Sequence, residues 1–216
     1  MSTTTVFLLS PANVSGLRAR QLMSPRAKFE AAQMYQSAEG VPIGLAFAFM
    51  SALYFRGKIA YALQFAEMES IFVIAPGFGL VPPDWRITPE RMKVLSNTEV
   101  DVRKRNYRKP FERDAIRLAK TLDDDAQVVL LGSVASGKYV DILAPIFGER
   151  LLFPAIFAGL GDMSRGGLLL RAARANRELD YTSLAAPRGR PEAGDPVELA
   201  RAWARSVSSP MGPKRT

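Results

Sequence analysis

The stretch Val128–Leu143, VVLLGSVASGKYVDIL, holds the residues with the most obvious capacity for chemistry. An apolar run leads into Gly132, then four residues, then Gly137 and Lys138. That is the GxxxxGK spacing of a phosphate-cradling loop. In such a loop, backbone N–H groups and a helix N-terminus face the phosphates, the lysine adds charge, and the next Ser or Thr holds a metal. Here Tyr139 stands in that last place, with its hydroxyl at the far end of a ring. A strand ending in a metal-binding Asp should accompany the loop. The nearest segment, LLFPAIFAGLGD, is interrupted by Pro154 and by the glycine-rich turn before Asp162. The competing readings are a plain strand, tight turn and helix, or the same turn holding an anion on its backbone donors with no hydrolysis.

Other segments offer chemistry of their own. In GDMSRGG (161–167), Asp162 is expected to cap the next helix, with Ser164 and Arg165 in its first turn. Backbone donors and a guanidinium there suit a phosphate or carboxylate, and Asp162 can act as a general base. The plainer alternative is a capped helix with Arg165 paired to a surface acid. Ser10 and Asn13 come directly after the first apolar run. Phe78, in APGFGLVPPD, either stacks on a flat ligand or is buried. In LYFRGKIAYA, Tyr54, Lys58 and Tyr61 fall at i, i+4 and i+7 on one helix face. Arg56 and Lys58 either face phosphates or are ordinary surface charge. The densest basic patch is VRKRNYRKP, where Arg103, Lys104, Arg105, Arg108 and Lys109 surround Tyr107. Cations around an aromatic ring suit a nucleic-acid backbone with a stacked base; a solvated loop is the other reading.

Composition narrows the field. The 216 residues contain neither cysteine nor histidine, which removes thiolate chemistry and every Ser-His-Asp arrangement. The candidate set holds no metal site. A net charge of +8 favours nucleic acid, nucleotides or another polyanion as partner, although an Arg-rich surface can exist without one. The longest apolar run, Val41–Phe55, is shorter than the roughly 20 residues of a membrane span and reads as a core helix. MSTTTVFLLS lacks the basic region of a signal peptide, so a cytoplasmic location is expected, with no membrane partner.

These residues need a scaffold. Short apolar runs at Val6–Ser10, Ile71–Pro76, Val128–Gly132 and Leu151–Phe157 predict a mostly parallel sheet buried on both faces. Helices are expected over Pro25–Ala38, Gly44–Glu67, Pro110–Leu122, Gly137–Phe147 and Met163–Asn176, with a final strand over Glu178–Leu184. The predicted architecture is α/β, three layers α/β/α, in one domain over residues 1–184. Residues 185–216 read as a Pro/Gly/Arg-rich linker, a short helix with Asp195 at its N-cap and Trp203 on its apolar face, and a loose tail. A protein partner docking on residues 195–209 is a third functional expectation.

FLLSPA, SALYFRGKIAYA, IAPGFGLVPPD, LLGSVASGKYVDIL and GDMSRGGLLLR together resemble a group of bacterial proteins that are distantly similar to the peroxide-stress protein YaaA. The resemblance to that group covers residues 6–184. The resemblance to YaaA proteins rests on LSPA, a GxxGLxxP-like loop, a Tyr after a small-residue turn and a late MSR. It implies an α/β fold, a cytoplasmic protein and DNA binding linked to oxidative stress. A more distant similarity to the uracil-DNA glycosylase type of fold implies base or nucleoside handling, though fold alone does not give function. In the YaaA-like pattern the Tyr persists without GxxxxGK, which singles out Tyr139. The leading expectation is nucleic-acid or nucleotide binding with base or nucleoside processing. Asp162, Tyr139 and Ser164 are its catalytic candidates, and Ser10, Asn13, Gly132, Gly137, Lys138 and Arg165 bind the ligand. The alternatives are an NTP-dependent enzyme using residues 132–138 and a non-catalytic interaction protein.

Overall fold

The structure is a computed structural model and describes residues 4–183, apart from Ala52, Ser136 and Ala158. Its strands are β1 (Thr5–Leu9), β2 (Val41–Pro42), β3 (Ile71–Ala75), β4 (Gly79–Val81), β5 (Arg86–Ile87), β6 (Gln127–Leu131), β7 (Leu151–Pro154) and β8 (Tyr181–Ser183). Its helices are α1 (Leu17–Met23), α2 (Glu30–Gln36), α3 (Ile43–Met50), α4 (Leu53–Phe65), α5 (Pro89–Asn97), α6 (Arg105–Thr121), α7 (Val140–Phe147) and α8 (Asp162–Arg174). Six strands form the central sheet in the order β4-β3-β1-β6-β7-β8. The four predicted runs are its four parallel strands, with β1 between β3 and β6 and with Phe7 opposite Val129. The edges, β4 and β8, are antiparallel. β2 and β5 make a separate small ribbon.

Alternation along the strands explains the layers. Phe7, Leu9, Val73, Val129 and Leu131 pack against the layer holding α1–α4 and α8. Val6, Leu8, Ile74, Val128 and Leu130 face α6 and α7. Both sides of each central strand are therefore buried, which requires an unbroken apolar run rather than polar alternation. This is the three-layer α/β/α arrangement that the sequence predicts.

Several boundaries differ: the helix expected over Pro25–Ala38 is only Glu30–Gln36, β7 stops at Pro154 short of Phe157, and α1 was not expected. The helix expected over Gly44–Glu67 is two helices, because the chain leaves helical geometry at Ser51, with φ −93° and ψ 4°. α6 begins at Arg105, five residues before the expected start at Pro110. Proline's fixed φ is helical, and Tyr107 and Phe111 pack one turn apart with ring centroids 5.8 Å apart, which holds the first turns on the sheet. α7 begins at Val140 instead of Gly137, whose φ of +66° is not helical. α5 was not expected, although Thr88 at its N-cap and Pro89 at its first position are a legible start signal. The predicted helix over 195–209, with Trp203, lies outside the described residues. Among the described residues no helix is long and apolar enough to cross a membrane.

Candidate functional site

From β1 the chain moves to β3 on one side; it later returns to place β6 on the other side of β1. The carboxyl ends of β1 and β6 therefore flank the point where the winding reverses, the place where open α/β sheets bind ligands. Ser10 comes directly after β1 and Gly132 directly after β6. The Ser10 N–H donates to the Leu131 carbonyl at 3.2 Å, which locks the two ends together. A Cβ at Gly132 would lie 2.9 Å from the Ser10 Cβ, so glycine is needed for Ser10 to sit there.

Lys58 reaches this point from α4. Its Nζ donates to the Ser10 carbonyl at 3.0 Å and lies 2.6 Å from the Ser10 Oγ. Its third side lies over the Tyr54 ring, 3.9 Å from the centroid. Lys58 is 1% exposed and Ser10 4%. Burial disfavours the ammonium, and Arg165 adds to that while Asp162 opposes it, so the Lys58 pKa falls from 10.5 to about 7. The amine is thus present in both protonation states near neutrality.

Two glycines bring the second helix in. A Cβ at Gly57 would stand 2.5 Å from the Gly166 carbonyl oxygen, and one at Gly166 would stand 2.7 Å from the Leu53 carbonyl oxygen. α4 and α8 thus cross backbone to backbone at the residues next to Lys58 and Arg165, placing a cation from each helix at the same end of the sheet. The Arg165 guanidinium donates to the Phe157 carbonyl at 3.1 and 3.3 Å, lies 3.7 Å from Asp162 and has a side chain 13% exposed. Asp162 itself is 70% exposed.

Two phenols complete the cluster. Burial raises the Tyr54 pKa to about 12, offset in part by the nearby Arg165. Although Arg165 stands close enough to act on it, the Tyr54 Oη is buried without a partner at hydrogen-bonding geometry, since the guanidinium is directed to the Phe157 carbonyl. Tyr139 is raised by burial to about 12, with the Ser10 side chain acting in the opposite direction as a hydrogen-bonding neighbour. The cluster at the strand ends is therefore Ser10, Tyr54, Lys58, Tyr139 and Arg165, with Asp162 at its rim.

Of the residues singled out in the sequence, Ser10, Tyr54, Lys58, Gly132, Tyr139, Asp162 and Arg165 come together here. The others do not. Asn13 is exposed, and its side chain accepts from the N–H and hydroxyl of Ser15, building a turn. Ser164 is exposed on α8. Gly161 occupies the N-cap expected of Asp162, because its extended backbone (φ −79°, ψ 165°) makes the turn into α8, and Asp162 is the first helical residue.

The GxxxxGK loop folds as a turn. A Cβ at Gly137 would meet the Asp141 carboxylate at 2.7 Å, so the chain's own carboxylate is folded over the loop at the start of α7. A carboxylate at a helix N-terminus takes the favourable place that a phosphate would need. The Lys138 side chain is exposed, and its carbonyl accepts from the Tyr107 hydroxyl at 3.0 Å.

The basic patch is also altered by folding. Tyr107 is 1% exposed and packs on Phe111, so its ring is not available to stack on a base. Arg103 is held by Asp101 at 2.6 Å, Lys104 lies 3.8 Å from Glu99, and Arg108 pairs with Glu112 at 3.2 Å. Arg105 and Lys109 are exposed and have no ion pair among the described residues. The start of this patch lies beside the strand ends: Arg103, Asp101 and Lys138 line one open groove of about 500 Å³.

Lys58 is the member of this cluster that sequence reasoning left ambiguous. Its spacing from Tyr54 and Tyr61 already places it on an aromatic face, and that face is buried. What spacing cannot show is that α8 covers it.

Comparisons with family models, with curated proteins and with solved structures return no match.

Proposed function

We propose that this protein binds a phosphate-bearing ligand, a nucleotide or a nucleic-acid strand, at the carboxyl ends of β1 and β6. The observation that carries the reading is an imbalance of charge at the site. Arg165 lies at the switch point, and the carboxylate facing it, Asp162, is mostly in water; Lys58 beside it adds charge only in its protonated form. An anion arriving there meets a guanidinium already oriented and two phenol hydroxyls. The groove by Arg103 and Lys138 and the exposed Arg105 and Lys109 extend the cationic surface for a longer ligand. The resemblance to YaaA proteins supports the same ligand class and a cytoplasmic location. In this reading Arg103, Lys104, Arg105, Arg108 and Lys109 make backbone contacts, and no stacking is assigned to Tyr107.

The test is a titration with nucleoside monophosphates and short single-stranded oligonucleotides at several salt concentrations. Affinity for the oligonucleotides falls as salt rises. Arg165→Ala weakens binding of both ligands by about 10- to 100-fold, the scale of one charge-assisted hydrogen bond. Replacing Arg105 and Lys109 weakens the oligonucleotides alone. Unchanged binding in Arg165→Ala rejects the site.

A further inference from the structure

We infer that Ser10 and Lys58 form a nucleophile–base pair that transfers an acyl group from an ester or amide ligand. The inference rests on the proposed function only for where the ligand's anionic part lies, at Arg165. The reactive pair stands on its own geometry.

A serine hydroxyl is a poor nucleophile until a base takes its proton. The chain has no histidine, so that base must be another group. Lys58 Nζ lies 2.6 Å from the Ser10 Oγ, within the range for proton transfer. A lysine can act as base only when neutral, and here the surroundings favour neutrality. It is fully buried, no carboxylate among the described residues touches it, and the charged groups facing it there are Arg165 and the rim carboxylate Asp162, both from α8. Tyr54, from its own helix, and Tyr139, from the β6–α7 turn, remain protonated phenols at neutral pH. The Ser10 carbonyl, bound by the same amine at 3.0 Å, fixes the direction of Nζ.

A purely structural lysine clamping the end of β1 would explain the 3.0 Å bond. It would not explain the Tyr54 hydroxyl beside it, which Arg165 approaches only as a donor and whose own proton has no acceptor among the described residues. An uncommitted O–H donor in a buried polar cluster is what a developing oxyanion requires.

Protons and electron pairs balance over the cycle. Neutral Lys58 takes the Ser10 hydroxyl proton while Oγ bonds to the ligand's carbonyl carbon, and the carbonyl π pair moves onto its oxygen, facing the Tyr54 hydroxyl. The tetrahedral adduct collapses, the bond to the leaving oxygen or nitrogen breaks, and the Lys58 ammonium gives that atom its proton. Water from solvent then gives a proton to Lys58 and its oxygen to the acyl carbon. Ser10 Oγ leaves and recovers the proton.

The experiment uses the full chain and a small uncharged fluorophosphonate, because Ser10 is only 4% exposed. Attack forms an O–P bond and expels fluoride, leaving one adduct readable by intact mass and by peptide mapping. The expected result is a single adduct on Ser10, absent in Ser10→Ala, with a labelling rate that rises with a midpoint near pH 7. Lys58→Met, which keeps the apolar stem, slows labelling at least 100-fold, and Tyr54→Phe slows it about tenfold or more. No adduct on Ser10 at pH 8.5 in a protein with an intact thermal transition overturns the inference. So does a rate that climbs only above pH 9, which would mean that Lys58 stays charged as a clamp. If Lys58→Met does not fold, the wild-type pH profile decides. Nucleotide affinity is read separately, by titration of the unlabelled wild type and of Arg165→Ala, so failure of labelling and failure of ligand binding are separate outcomes.

Discussion

The dipeptide Gly-Lys occurs twice beside this cleft, at residues 57–58 and 137–138, with opposite outcomes. Gly137 and Lys138 complete a recognised spacing, yet Gly137 serves a turn at φ +66° and the Lys138 side chain is in solvent. Gly57 and Lys58 belong to no phosphate-loop pattern, yet Gly57 lets α8 touch the α4 backbone and Lys58 lies buried against Ser10. The difference teaches that a motif states which donors a loop can offer. Whether they face a ligand depends on what packs around them. At 137 the Asp141 carboxylate fills the place of the anion; at 58 a second helix shuts out water and changes what the amine can do.

The largest expected effect is on stability as a function of pH. An unfolded lysine keeps its proton to about pH 10.5, whereas folded Lys58 releases it near 7. Between those values the unfolded chain binds more protons, so this group makes stability rise with pH. The gain is on the order of 3 kcal/mol between pH 7 and 10. Below pH 7 the contribution is flat, because both states are protonated. Above pH 10 the raised phenols of Tyr54, Tyr61 and Tyr139 act the other way, as they stay protonated in the fold while the unfolded chain ionises. Urea midpoints for wild type and Lys58→Met across pH 6–10 check this: the wild type gains on the variant as pH rises. Parallel profiles would mean that Lys58 keeps its proton in the folded chain.

Next in size are the helix contacts. Gly166→Ala sets a methyl 2.7 Å from the Leu53 carbonyl oxygen and the Tyr54 Cα, both backbone atoms that cannot step aside. It costs about 1–3 kcal/mol, and thermal melting shows a loss of roughly 2–4 °C per kcal/mol. It also displaces Arg165 and so weakens ligand binding. Gly137→Ala costs about 1 kcal/mol, since the strain is one left-handed residue and a carboxylate that can rotate away. Equal losses at the two glycines would erase the contrast between them. The smallest effect belongs to Lys138→Ala, which changes stability by no more than about 0.5 kcal/mol. Nucleoside monophosphate affinity stays within twofold, read in the same titration as Arg165→Ala.

The fold was legible where burial alone dictates sequence. Val6–Leu9 and Val128–Leu131 are unbroken apolar runs because helices cover both of their faces. α6 announced itself from Phe111 onward, but its first turn did not, because a proline that normally starts helices lies inside this one. In the site, Ser10, Tyr139, Asp162 and Arg165 could be found from the segments just beyond the carboxyl ends of the parallel strands. Lys58 could not be placed that way, because it comes from mid-helix, and its environment depends on a contact between Gly57 and Gly166 that are 109 residues apart. The basic patch shows the reverse case. Counting cations at 103–109 misses the Asp101, Glu99 and Glu112 carboxylates that engage three of them and the core that takes Tyr107.

The most direct test of a buried, titrating amine beside Ser10 is an NMR titration of protein carrying ¹³C at the lysine ε-carbons. One lysine resonance is predicted to titrate near pH 7, to disappear in Lys58→Met and to be retained in Lys138→Ala. If every lysine, Lys58 included, remains charged past pH 9, the amine beside Ser10 is a fixed cation and the central claim is contradicted.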